Sequence, residues 1–175
     1  MESKEIIIKS LEESQRYLDG GLKGLSEEEL AWAPRDDCNT IAFLIWHMTR
    51  AEDMWINRVI LEEPEIYESG DWVSKMGTPE GESGYGYTAK QLKSWPTPQM
   101  ELLQGYSKAV RERTTKLLQD ATVEKLSRQA GTGRFVNTVG AILAHVITEI
   151  SMHVGQIAYL RGAQRGMEPP PERGS

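Results

Sequence analysis

Four stretches of the chain repeat apolar residues at three- and four-residue intervals, the pattern of helices with one buried face. They cover residues 4–22, 41–61, 98–119 and 138–162. Thr40, Thr97 and Thr138 are expected to cap the last three, with Pro98 at the first position of the third. The period-two alternation of strands is absent from the sequence. The pattern therefore predicts an all-α fold, a four-helix bundle.

The connection between the second and third predicted helices, residues 65–95, is unusually long. It holds five glycines and the aromatic residues Tyr67, Trp72, Tyr85, Tyr87 and Trp95. Long connections in compact domains are usually functional or disordered, and the aromatic residues argue against disorder. Two readings stay open, a partly mobile cover over one end of the bundle or a static crossover. A capping-box sequence near its end predicts one short helix.

Composition places the chain among globular proteins with one domain. Its 175 residues are 39% hydrophobic and carry a formal net charge of −6. No basic run stands out, which argues against nucleic acid or an anionic membrane as partner. The domain is expected to span residues 1–166, followed by a flexible Pro-rich tail at residues 167–175.

The sequence favours a cytoplasmic location. Cys38 is the only cysteine, so an intrachain disulfide is excluded. Residues 1–10 lack a secretory apolar region with a cleavage site. The longest apolar run, residues 41–46, is too short to cross a bilayer.

A polar stripe runs down the fourth predicted helix. His145, Glu149 and His153 follow one another at four-residue spacing, so their side chains stack on one face, and Gln156 continues it. A carboxylate between two imidazoles beside an apolar face is unfavourable unless a partner satisfies it. A divalent metal would do so. A solvated helix edge is the alternative.

The third histidine of the chain, His47, lies at the edge of the apolar face of the second helix. Alone, such a histidine is more often a core residue than a ligand. All three histidines nevertheless fall on predicted core helices, and bundles hold metals with side chains from facing helices. Two histidines and one carboxylate, with coordination positions left open, suit Zn, Ni or Fe(II). The sequence lacks the His-Glu-x-x-His run of zinc proteases and the paired Glu-x-x-His motifs of di-iron bundles.

Several short motifs, taken in order, resemble those of the DinB/YfiT-like family of helical bundles, a group regarded as metalloenzymes. The resemblance covers about residues 6–166. Its matches are GLSEEEL at residues 24–30, Trp32 and Pro34, NTIA at 39–42, WH at 46–47, AED at 51–53 with Trp55, and HVGQI at 153–157 followed by YLRG at 159–162.

The resemblance implies a ligand set. In that family one histidine of helix two and two residues four apart on helix four hold the metal, which in this chain are His47, Glu149 and His153. Many members have histidine in place of Glu149, and the carboxylate form is similar to that of mycothiol-dependent maleylpyruvate isomerases. Many also have arginine where this chain has Val154, so no role of that arginine is carried over. No catalytic residue is assigned beyond the metal site.

The direction of the helices decides between His145 and His153. In parallel, flush helices His47 would lie level with His145, each about 12 Å from its helix start at ~1.5 Å per residue. In antiparallel helices a residue near His153 would lie level instead. The long crossover allows the second and third helices to run parallel, which leaves the fourth antiparallel to the second, and the resemblance agrees. His145 is therefore kept only as an alternative ligand.

The resemblance also implies a function. It indicates one divalent metal, zinc first with nickel or iron as alternatives. The expected activity is a transferase that activates a low-molecular-weight thiol toward a small-molecule substrate. Two alternatives stay open: a metal-dependent hydrolase, and a non-catalytic stress-related bundle for binding or dimerisation. Related bundles commonly pair, and five tryptophans are more than one small core comfortably hides, so a homodimer is expected.

Overall fold

The all-α four-helix bundle predicted from the sequence is confirmed. A computed structural model of the chain describes residues 3–166, so the expected tail at residues 167–175 lies outside the described residues. The helices are α1 (Ser3–Leu22), α2 (Glu27–Ala31), α3 (Ile41–Asp53), α4 (Ile66–Ser69), α5 (Trp72–Met76), α6 (Ala89–Ser94), α7 (Met100–Gln119), α8 (Val123–Ser127) and α9 (Val139–Arg165). A π-helix, Met54–Leu61, continues α3, so the second predicted helix is present over its full length.

Helices α3 and α9 run antiparallel, as the ring contacts between them show. The rings of His47 and His153 have centroids 4.9 Å apart. Trp55 follows His47 by eight residues, in the π-helix that continues α3, and His145 precedes His153 by eight residues on α9. The rings of Trp55 and His145 lie 5.4 Å apart. The antiparallel expectation is therefore confirmed, and His153 is the histidine level with His47.

Helices α3 and α7 run parallel. Arg50 of α3 donates to the hydroxyl of Tyr106 on α7. Seven residues later on both elements, Asn57 of the π-helix accepts from Arg113 of α7. Parallel neighbours in a bundle require a connection that returns along the whole bundle. The long segment at residues 65–95 is that crossover.

Local capping sets the starts of the helices that carry the polar stripe and His47. The Thr40 hydroxyl accepts from the Phe43 backbone N–H at 3.1 Å, and the Thr138 hydroxyl accepts from the Ala141 N–H at 3.2 Å. Each bond satisfies an N–H group that lacks a partner inside the helix. Both predicted caps are confirmed.

The expected start of the third long helix at Thr97 and Pro98 was wrong. Helix α7 begins at Met100, and the residue before it, Gln99, makes no side-chain capping bond. Instead the Met100 N–H donates to the Glu27 carboxylate of α2, at 3.2 Å. A tertiary partner thus replaces the local cap, and neighbouring sequence does not reveal it.

The crossover at residues 65–95 is folded, and several of its residues are buried. It contains α4, α5 and α6, of which only α6 was predicted, from the capping box at Thr88. Tyr67 is fully buried, and Trp95 is 7% exposed. Tyr85, between these two residues, is 90% exposed. The two ends are therefore packed, and the mobile cover stays a prediction for the middle of the crossover, which hydrogen exchange would test.

A short strand pair was not predicted. Strands β1 (Gln129–Ala130) and β2 (Asn137–Thr138) pair antiparallel just before α9, and a 3-10 turn, Gly133–Phe135, lies between them. Two residues per strand are too few to show an alternating pattern.

Helix α9 is long and apolar enough to cross a membrane by length and composition alone. Its apolar side packs against α1 and α3 and supplies core residues such as Leu143, Ile150 and Ile157. Such a composition is also expected of the central helix of a bundle.

Candidate metal centre

Helices α3 and α9 bring His47, Glu149 and His153 together. One donor atom from each side chain lies within 4.8 Å of the other two. The Nε2 atom of His153 is 3.5 Å from a carboxylate oxygen of Glu149. The three residues that the sequence singled out as ligands are therefore neighbours in the fold.

The second nitrogen of each imidazole is held by an oxygen acceptor. The Nδ1–H of His47 donates to the backbone carbonyl of Ser83 at 2.6 Å. The Nδ1–H of His153 donates to the side-chain oxygen of Gln156 at 2.8 Å. The Ser83 carbonyl can only accept, so it places the His47 proton on Nδ1, and the Gln156 amide, with its oxygen toward the ring, does the same for His153. This leaves Nε2 as the lone-pair nitrogen, the arrangement that histidine ligands of metals usually have.

The residues present fit a divalent metal. The Nε2 atom of His153 is buried and has no hydrogen-bond partner among the described residues, and an unsatisfied buried polar atom is unfavourable. Tetrahedral zinc, with bonds of about 2.0–2.1 Å, separates its ligand atoms by about 3.3 Å, so small side-chain shifts would suffice. Nitrogen and carboxylate donors are both ligands that zinc accepts.

Burial sets the protonation of His47. It lowers the pKa of the imidazole below its usual 6.5; the Ser83 hydrogen bond opposes this, the neighbouring His153 lowers the pKa further, and the charge of Glu149 raises it. The net direction is downward. The neutral imidazole that a metal requires is therefore the form favoured at neutral pH.

His145, the alternative ligand, lies outside this group of three. Its side chain is 49% exposed, and its Nε2 atom is 3.9 Å from the Glu149 oxygen that does not face His153. Its ring packs edge-on against Trp55. Glu149 therefore lies between the two histidines of α9, and only His153 also contacts His47.

The Ser83 carbonyl is the part of the site that the sequence did not reveal. A backbone carbonyl carries no signature of residue type, and Ser83 lies 36 positions from His47. The glycine that follows it, Gly84, has φ +79°, and Gly81 and Gly86 nearby also have positive φ, so the glycines mark an irregular backbone without marking the carbonyl of Ser83.

Comparison with known proteins gives one family and one fold. The family profile described as the DinB superfamily matches residues 10–157. No curated protein matches the chain. Among solved structures, the conserved protein of a locus from Enterococcus faecalis superposes with a TM-score of 0.81 at 21% identity, over 93% of this chain and 96% of its own. At that identity the likeness shows a shared fold.

Proposed function

The chain belongs to the DinB superfamily. From that premise we propose that it uses His47, Glu149 and His153 to bind one divalent metal ion, for which zinc is the first candidate. We further propose that this metal activates a low-molecular-weight thiol for transfer to a small electrophile in the cytoplasm. The observation that carries the proposal is the buried Nε2 atom of His153, which has no hydrogen-bond partner among the described residues and lies beside Glu149 and His47.

Three protein ligands are the number found in catalytic zinc sites, where the fourth position takes water or substrate; closed structural sites use four. When bound, a divalent ion with one carboxylate and two neutral imidazoles keeps one net positive charge and stabilises the thiolate form of a thiol whose free pKa is about 8.5. The chain's contribution is to hold the donor atoms. The Ser83 and Gln156 oxygens fix the two imidazoles, and the ring of Phe43 stacks parallel to that of His47 at 6.0 Å.

The nucleophile is expected to come from outside the chain. Cys38 is the only cysteine, and its Sγ donates to the neighbouring Asp37 carboxylate at 3.8 Å. Cys38 is also not among the residues that form the candidate metal centre. An external thiol is therefore the simpler source of sulfur.

A transfer assay tests this function. Zinc-loaded protein is given 1-chloro-2,4-dinitrobenzene with bacillithiol, mycothiol, glutathione or cysteine in turn. Sulfur forms a bond to the aryl carbon, chloride leaves with its electron pair, and the thiol proton passes to buffer. We expect absorbance from the product with one of these thiols. In His153→Ala the rate should fall to background, because a ligand is missing.

The matched control for this assay is His145→Ala, which removes a histidine of the same helix outside the ligand set and should keep the rate. Equal rates with metal-free and zinc-loaded protein would contradict the proposal. Release of product from an ester substrate without any thiol would instead support hydrolysis.

A further inference from the structure

Arg50 is a buried cation that ties the crossover to α3. It is 2% exposed, and its guanidinium stacks over the ring of Tyr67 at 3.9 Å. Its Nη1 atom lies 2.7 Å from the Glu65 carboxylate, at the beginning of the crossover. Its Nε–H donates to the Glu82 carbonyl at 2.9 Å, in the middle of the crossover. One side chain thus fixes two distant points of residues 65–95.

The second of these points adjoins the metal centre. Arg50 follows His47 by three residues, so the two side chains lie on neighbouring turns of α3. They bond to consecutive carbonyls of the crossover: Arg50 to that of Glu82 and His47 to that of Ser83. The position of the Ser83 oxygen, and with it the orientation of the His47 ring, depends on where this backbone lies.

Glycine at residue 84 lets the same backbone lie directly on α3. A Cβ atom at Gly84 would come within 2.6 Å of the Phe43 ring and 2.8 Å of the Trp46 ring. Real Cβ contacts are essentially never that close, so with any larger residue either the turn or these rings must shift. Arg50 holds the turn from one side, and Gly84 allows it to come close enough.

We propose that Arg50 is a positioning residue for the metal centre. It holds the Glu82–Ser83 backbone so that the Ser83 carbonyl keeps the His47 proton on Nδ1 and directs Nε2 toward Glu149 and His153. This inference rests on the proposed metal site. It adds that Arg50 orients one of the ligands, His47. Groups that orient a metal-binding histidine typically contribute 10–100-fold to metal affinity.

Arg111 supplies a matched control. It too is an arginine at the α3–α7 interface, with an 18% exposed side chain, and it forms a two-bond ion pair with Glu52 at 2.9 Å for each bond. Its other bond goes to the Leu11 carbonyl of α1. None of these contacts involves the crossover. Loss of Arg111 therefore disturbs a buried ion pair without moving the Ser83 carbonyl.

The test compares Arg50→Gln with Arg111→Gln. Both should lower the thermal midpoint of the metal-free protein, since each removes a cation that pairs with a buried carboxylate, Glu65 or Glu52. Only Arg50→Gln should weaken zinc binding, by about 10–100-fold in a chelator competition. Nitrogen NMR of the metal-free protein should then show mixed protonation of the His47 ring in that variant alone. Arg50→Lys keeps the charge but not the Nε–H. It should therefore restore the thermal midpoint more fully than the zinc affinity.

A second pair of variants serves if Arg50→Gln does not fold. Gly84→Ala and Gly86→Ala both place alanine at positive φ, +79° and +71°, but nothing lies within 4 Å of a Cβ at Gly86. We expect only Gly84→Ala to weaken zinc binding. Affinities equal to wild type in Arg50→Gln or Gly84→Ala would overturn the positioning role. Absence of zinc binding by the wild type would instead contradict the proposed function.

Discussion

Replacing His153 with alanine is expected to lower zinc affinity by more than about a hundredfold. The substitution removes the buried Nε2 atom that has no hydrogen-bond partner among the described residues and lies 3.5 Å from a Glu149 carboxylate oxygen. Loss of a group that merely orients a ligand already costs 10–100-fold, so loss of the ligand itself should cost more. His47→Ala and Glu149→Ala should have effects of the same order. Competition against a coloured chelator measures all three.

His145→Ala is the control for this series, because it removes a histidine one turn from Glu149 on the same helix. Its ring is half exposed and faces the Glu149 oxygen remote from His153. We expect this variant to keep at least half of the bound metal. A site emptied by His145→Ala and unaffected by Glu149→Ala would show that the ligand set is wrong.

Asp53→Ala is expected to lower the free energy of unfolding by about 3–5 kcal/mol, the usual effect of removing one partner from a buried charged network. Asp53 has no exposed surface. Its carboxylate accepts from the side chain of Asn57 at 2.7 Å, the hydroxyl of Tyr106 at 2.7 Å, and the backbone N–H groups of Ile66 and Tyr67 at 2.9 and 2.8 Å. Alanine leaves these donors buried without an acceptor. Urea denaturation followed by tryptophan fluorescence measures the loss.

Asp37→Ala provides the comparison for that measurement. Asp37 is exposed and pairs with Arg35 in the connection before α3. Exposed ion pairs contribute little, so this variant should unfold at nearly the wild-type urea concentration. A similarly small change for Asp53→Ala would mean that the buried network does not anchor the crossover.

The sequence predicts most of the bundle because its long helices are specified locally. The apolar spacing and the threonine caps define α3 and α9, and both signals can be recognised without the rest of the chain. The start of α7 and the helix α4 depend on carboxylates from distant elements, Glu27 and Asp53. Such tertiary partners cannot be recognised from neighbouring residues, and these two features are among those that the sequence missed.

The tryptophans show a second limit of the sequence. Their number suggested an exposed apolar patch and hence a homodimer. In the fold Trp46 and Trp95 are buried, Trp55 and Trp72 pack against the core, and Trp32 is 36% exposed. Rings of the crossover, those of Tyr67, Tyr87 and Trp95, lie against Trp46, and helix patterns alone did not indicate this packing. The homodimer stays a prediction, without the support of the tryptophan count.

The candidate site was predictable to the extent that side chains define it. Regular helical spacing placed His145, Glu149 and His153 on one face, and antiparallel helices favoured His153 over His145. The set of His47, Glu149 and His153 was implied by the family resemblance, and the fold brings these three together. The contribution of Ser83 comes from its backbone, and the closeness of that backbone depends on packing against Phe43. Residue types therefore identified the candidate ligands and not the group that orients one of them.

The central claim is that this chain binds one divalent metal ion at His47, Glu149 and His153. The most direct test is native mass spectrometry of untagged wild-type protein, first as purified without added metal and then after incubation with one equivalent of zinc. We predict a mass increase of a single ion per chain, removed by a chelator and absent from the His47→Ala/His153→Ala double variant. A wild-type mass that shows no bound ion after incubation, or an equal increase in the double variant, would contradict the claim.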